Sequence, residues 1–156
     1  MYRYLIISST SAIAEQIGRI LAGPGAALYL TGRDPNRLKT LVEDLQVRGA
    51  LQTNTEQLDV MDTANLAGLI RRAATSLGGL DAVICAAGLL PDQTQVNSDT
   101  DLLRQTLEVN ALSAMIVLNE AAAFFEQQGH GQIVAIGSVA GDRGRATNYA
   151  YGAAKG

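Results

Sequence analysis

Tryptophan is absent from this chain, phenylalanine occurs twice, and cysteine and histidine once each. Each scarcity excludes something. Cys85 stands alone, so no internal disulfide forms and a reducing compartment is expected. His130, between Gly129 and Gly131, has no second histidine to share a metal ion, so no metal site is expected. With few aromatics and abundant Ala and Gly, the core is expected to rest on close helix–sheet packing. The net charge of −3 gives no general reason for a nucleic acid or an anionic membrane as partner. The opening MYRYLIISS is too short in its apolar run for a secretory signal or a membrane span, and no apolar run of spanning length stands out elsewhere. No membrane insertion and a cytoplasmic location are the expectation.

What is present favours a buried core. Hydrophobic residues make up 47% of the 156 positions and charged residues 17%, within one domain spanning residues 1–156. Short apolar runs alternate with stretches of helical period. Tyr4–Ser8 reads as a strand, then Ser11–Leu21 as a helix with Ile13, Ile17, Ile20 and Leu21 on one face. Ala26–Thr31 is a second strand. Asp34 and Pro35 then supply an N-cap and a first helical position, ahead of the stripe Leu38, Leu41, Val42 and Leu45. Leu51–Leu58 is a third strand, interrupted by Asn54 and Glu56. Asp62 caps a helix lined by Leu66, Leu69, Ile70, Ala73 and Leu77, which stops at Gly78-Gly79. Asp81–Ala86 is an apolar strand of the kind buried on both faces of a parallel sheet. Pro91–Thr100 reads as a mobile polar loop, Asp99–Gln128 as one long helix, Gln132–Gly137 as a fifth strand, and Asn148–Gly156 as the start of a helix. This order predicts an α/β, Rossmann-like doubly wound parallel sheet, strand order 3-2-1-4-5, truncated before its last strands.

The chemistry is concentrated near the end of the chain. Tyr151 and Lys155 are four residues apart, which puts a phenol and an ammonium on one helical face. A cation beside a phenol favours the phenolate, and such a tyrosine trades protons with a hydroxyl or carbonyl. The pair alone is a weak signal, but its surroundings strengthen it. Ser138 lies at the carboxyl end of the fifth strand, where open α/β sheets bind ligands. Asn110 lies inside the long helix, where a buried amide needs partners.

Together these residues resemble the short-chain dehydrogenase/reductase family, over the whole chain. The resemblance implies a catalytic tetrad of Asn110, Ser138, Tyr151 and Lys155, with Tyr149 a decoy because Ala153 stands four residues on. It further implies that Tyr151 donates a proton to the substrate oxygen and that Lys155 assists it while holding the nicotinamide ribose. Ser138 would hydrogen-bond the substrate carbonyl, and Asn110 would place a water that links Lys155 to solvent.

The first turn departs from the family pattern. Where Gly-x-x-x-Gly-x-Gly is expected, this chain has Ser8, Ala12 and Ala14. The expected cofactor-binding residues are Ser8, Thr10, Ser11, Ala12 and Ile13 in this turn, with Arg33, Asp59, Val60, Ala87, Gly88, Tyr151 and Lys155 along the cleft. The hydroxyls of Ser8, Ser9, Thr10 and Ser11 are expected to add phosphate hydrogen bonds at a helix N-terminus. Arg33 after strand two favours a 2′-phosphate, hence NADP, with Asp34 the competing sign for NAD. Cys85-Ala86-Ala87-Gly88 replaces the family's Asn-Asn-Ala-Gly, and Cys85 reads as a small buried hydrophobe.

Arg143 and Arg145, between Ser138 and Tyr151, are candidates to grip a phosphate or carboxylate of the substrate. The stretch Ser138–Lys155 resembles bacterial polyprenyl-phosphate keto-sugar reductases of the decaprenylphosphoryl-2-keto-ribose reductase type. The expected function is therefore hydride transfer between NADPH and a small-molecule carbonyl/alcohol substrate. The alternatives are a dinucleotide-binding module without turnover and a structural fragment. A full-length form is expected to be a homo-oligomer.

Overall fold

The computed structural model describes residues 1–156. Five strands, β1 (Tyr2–Ile7), β2 (Ala26–Gly32), β3 (Gln52–Gln57), β4 (Ala82–Cys85) and β5 (Gln132–Ala135), form one parallel sheet in the order β3-β2-β1-β4-β5. Alternation along each strand splits the core between two faces. Leu5, Ile7, Val83 and Cys85 point to one, packed under α4 (Leu69–Leu77) and α7 (Ser113–Gln128). Ile6, Leu28, Leu30 and Ile84 point to the other, under α1 (Ala12–Leu21) and α2 (Pro35–Val47).

Local signals set several boundaries. Asp34 accepts from the Asn36 and Arg37 amides, and Pro35 opens α2. Asp62 accepts from the Asn65 amide and starts α3 (Thr63–Leu66). Gly78 and Gly79 end α4 with φ of 69° and 135°, a conformation that side chains disfavour.

Elsewhere the structure corrects the sequence reading. The inner stripe of α1 is Ala14, Ile17, Gly18 and Leu21, whereas Ile13 and Ile20 are 57% and 82% exposed. Two small residues let this helix lie close to the sheet, so the bulkier isoleucines turn outward. The helix expected across residues 63–77 is broken by Gly68, at φ 77°, whose amide is held by both carboxylate oxygens of Glu120 at 3.1 Å. The expected loop 91–100 contains α5 (Gln93–Ser98), capped by Asp92 and seated on buried Gln93 and Val96. The long helix runs as α6 (Thr100–Leu107), a π-helical turn (Glu108–Leu112) and α7. Contrary to expectation, Thr100–Gln128 has the length and mean hydropathy (1.3 over its most apolar window) of a spanning helix. Its inner face, Val117, Ala121 and Phe125, packs on the sheet, and core helices meet the same two criteria.

Candidate functional site

The candidate site residues lie along the carboxyl ends of the strands, the edge at which open α/β sheets generally bind ligands. At one end is the turn Ser8–Ser11 between β1 and α1. Ser8 has φ 57°, the one non-glycine residue of the chain with positive φ, and it stands where glycine was expected. Ser9 is fully buried, and its amide and hydroxyl both donate to the Thr31 carbonyl, at 2.8 and 2.9 Å. The Ser11 hydroxyl accepts from the Ala14 amide at 3.3 Å as the N-cap of α1. The Ser9 proton is thus spent on the turn itself, a correction to the expectation that all four hydroxyls serve a phosphate, whereas the Ser11 hydroxyl only accepts there and keeps its own proton to donate. Thr10 packs over Gly32, where a Cβ would come within 3.2 Å of its hydroxyl oxygen.

An open cleft of about 720 Å³ extends from this turn past Arg33, Asp59 and Val60 to Gly88. The Asp59 carboxylate accepts from the Met61 amide at 3.0 Å. Arg33 makes no ion pair, while Arg37 donates to the Thr10 carbonyl at 2.6 Å and to Glu15 at 2.9 Å. Sequence reasoning missed Arg37. The signal was a second arginine one helical turn beyond Arg33, and only the fold shows that it ties α2 to the turn after β1.

A second cleft of about 710 Å³ adjoins the first at Ser11 and Gly88 and holds Ala12, Ile13, Ala87, Tyr151 and Lys155 in its wall. Tyr151 and Lys155 lie on α9 (Tyr149–Lys155). The Lys155 ammonium donates to the carbonyls of Ala87 at 2.8 Å and Ile136 at 3.2 Å, so it bridges the ends of β4 and β5. Burial lowers its pKa below the usual lysine value, partly opposed by nearby Cys85. Cys85 is 3% exposed, and burial pushes its thiol up.

Asn110 occupies the π-helical turn and is 3% exposed. Its Oδ1 accepts from the Leu89 amide at 3.0 Å, and its Nδ2 donates to the carbonyls of Leu89 at 2.7 Å and Thr106 at 2.8 Å. The amide therefore pins the segment that leaves β4. Asn110 Oδ1 and Lys155 Nζ flank Gly88, at 3.7 and 3.9 Å from where a Cβ there would stand.

Ser138 caps α8 (Val139–Asp142), its hydroxyl accepting from the Ala140 amide at 3.2 Å. Gly152 brings α8 and α9 together, since a Cβ on it would meet the Ala140 carbonyl oxygen at 2.7 Å. Arg143 and Arg145 stand exposed between α8 and α9, outside the walls of the cleft that holds Tyr151.

The sequence pattern described as short chain dehydrogenase matches residues 3–156. The chain belongs to the short-chain dehydrogenase family. An uncharacterized oxidoreductase of Mycobacterium tuberculosis (strain H37Rv) is 29% identical over 97% of this chain and 60% of its own length. The 2-dehydro-3-deoxy-L-rhamnonate dehydrogenase (NAD(+)) of a Sphingomonas strain is 26% identical over 97% of this chain and 59% of its own. A short-chain type dehydrogenase/reductase from Mycobacterium ulcerans superposes with a TM-score of 0.88 at 28% identity, covering 99% of this chain and 57% of that one. This short-chain dehydrogenase chain thus spans about three fifths of the length of those relatives.

Proposed function

We propose that this chain carries the nucleotide-binding and catalytic centre of an NADP-dependent reductase or dehydrogenase, acting on a carbonyl/alcohol pair of a sugar-like substrate. The observation that carries the reading is the convergence at Gly88, where Asn110 and Lys155 meet beside a cleft walled by Tyr151. The residues present suit a dinucleotide. The turn after β1 presents the N-terminus of α1 to an anion, Ser8 holds the left-handed backbone of a glycine turn, and Gly88 leaves the cleft floor bare. When bound, the nicotinamide supplies the hydride.

The remaining steps belong to the protein. Tyr151 donates a proton to the substrate oxygen on reduction. Lys155, fixed by two carbonyls, holds a positive charge on the same face of α9 and one further N–H toward the cleft. Ser138 hydrogen-bonds the substrate carbonyl as negative charge develops. Asn110 keeps the segment after β4 in place around Gly88. Arg33, free of ion pairs, favours a 2′-phosphate, and Arg37 stands beside it in the same cleft.

A keto-sugar substrate is supported by the look of Ser138–Lys155 and by the sugar-acid name of the Sphingomonas relative. On this reading Arg143 and Arg145 meet an anionic group on the substrate from the rim. A second reading, dinucleotide binding without turnover, is favoured by Ser8, Ala12 and Ala14 in place of three glycines. Calorimetry showing NADPH binding, without NADPH consumption on any of a panel of ketoses, keto-acids and simple ketones, would select it. The decisive test is Tyr151→Phe in the intact protein. Carbonyl reduction should fall about 10²- to 10⁴-fold, with the Kd for NADPH changed less than about threefold. Undiminished turnover would end the proposal.

A further inference from the structure

The helix that carries Tyr151 lacks its own cap. Asn148 holds the N-cap position of α9, but its side chain makes no capping bond, and its Oδ1 is buried without a partner. An N-cap side chain would normally take the amide of the second or third helical residue. Here the second is Ala150, 3% exposed, and its N–H donates at 3.1 Å to Oε1 of Gln93, which lies on α5, 57 residues earlier. Gln93 is itself 7% exposed. Its Nε2 donates to Asn97 Oδ1 at 3.0 Å, and that oxygen also accepts from the Tyr149 hydroxyl at 3.2 Å. Gln93, Asn97, Tyr149 and Ala150 therefore close a ring between α5 and the first turn of α9. The anchor end is fixed in turn, because Asp92 caps α5 through the Thr94 amide at 2.7 Å.

We infer that Gln93 is a positioning residue for Tyr151: it caps the tyrosine helix from α5, in place of the helix's own N-cap residue. This rests on the reading of Tyr151 as the proton donor. Without Gln93 the Ala150 N–H is a buried donor with no acceptor, a state that proteins avoid. The first turn of α9 then relaxes toward water, and Tyr151, the next residue, moves with it. Displacements of about an ångström at a reacting group cost on the order of 10²-fold in rate. The bond also makes the tyrosine's position depend on α5, an element on the opposite wall of the polar cleft formed by Leu90–Thr94, Asn97 and Ala146–Asn148.

The test compares Gln93→Leu, which keeps volume and removes the acceptor, with Gln93→Glu, which keeps an oxygen facing the helix N-terminus. Both are made in the intact protein and read by site-resolved amide hydrogen exchange and by steady-state kinetics. In Gln93→Leu the Ala150 amide should exchange at least about tenfold faster, while β1 and β2 amides hold their protection. In the same variant kcat should fall about 10- to 100-fold, with KM for NADPH within about twofold. Gln93→Glu should restore most of both. If Gln93→Leu does not fold, Asn97→Ala releases the far side of the ring without touching the capping bond and should show the same pattern at smaller amplitude. Unchanged Ala150 exchange, or faster exchange with undiminished kcat, overturns the inference. A wild-type protein without turnover counts instead against the oxidoreductase reading, and the exchange result still decides whether Gln93 holds the helix.

Discussion

Near Arg33, the first cleft begins at the end of β2, which is buried at every residue; near Tyr151, the second is walled by Ile136 and Gly137 just past β5, the edge strand, which is exposed at every residue. The first region owes its shape to burial. Leu28 and Leu30 are fully enclosed between α1 and α2, and the turn Ser8–Ser11 is tied to β2 through Ser9 and the Thr31 carbonyl. The second region owes its shape to a few directional contacts. These are the Lys155 bonds to Ala87 and Ile136, the Gln93 bond to Ala150, and the backbone approach at Gly152. Hydrophobic burial tolerates small shifts, whereas a hydrogen bond or a contact below 3 Å does not. Changes in the core beneath Arg33 should therefore register mainly as stability, and changes to the contacts around Tyr151 as rate beyond any loss of stability.

Truncating an apolar strand residue in each region gives the widest contrast. Leu28→Ala should cost about 2–5 kcal/mol in urea unfolding, while Val134→Ala on β5, 41% exposed, should cost less than about 1 kcal/mol. Equal losses would erase the distinction. Gly152→Ala should cost about 1–3 kcal/mol by overpacking against the Ala140 carbonyl, and reduce turnover further than that loss of stability explains. Gly23→Ala, with nothing within 4 Å of the added methyl, is its control. Arg33→Ser should weaken NADPH about tenfold, near 1.4 kcal/mol, and leave NADH unchanged, by calorimetry with both dinucleotides.

The smallest effect is electrostatic. Arg3 joins the starts of β1 and β4 through Asp81 at 2.8 and 2.9 Å, and its hydrogen bonds hold the Asp81 carboxyl below its ordinary pKa despite partial burial. A depressed carboxylate pKa stabilises the fold above the unfolded value of 3.8 and ceases to as pH falls through the folded one. The pair is partly exposed, so it is worth less than about 1 kcal/mol. Asp81→Asn should lower stability at neutral pH by that amount and flatten the acid limb below pH 4, read by thermal melts across pH.

The contrast between the two regions also governs what the chain's letters disclose. β1, β2 and β4 are apolar runs, and the caps Asp34 and Asp62 precede their helices at the expected spacing. Those signals are local, so they are visible in order along the chain. The face of α1 was hidden because hydrophobic periodicity weights isoleucine, while the close approach is made by Ala14 and Gly18. α5 was hidden because its one buried apolar residue, Val96, sits in a polar stretch. The π-helical turn around Asn110 leaves no compositional trace. Tyr151 and Lys155 could be proposed from their spacing together with Ser138 and Asn110, but Arg37 and the carbonyl partners of Lys155 could not, because those meetings join residues far apart in the chain.

Lys155 also sets a rule of valence. A primary ammonium has three protons, and those directed at Ala87 and Ile136 leave a single one unassigned. Acetylation would take away the charge and leave one N–H. Reductive dimethylation would keep the charge and leave one as well, so either adduct would have to choose between bracing two strand ends and greeting a ligand.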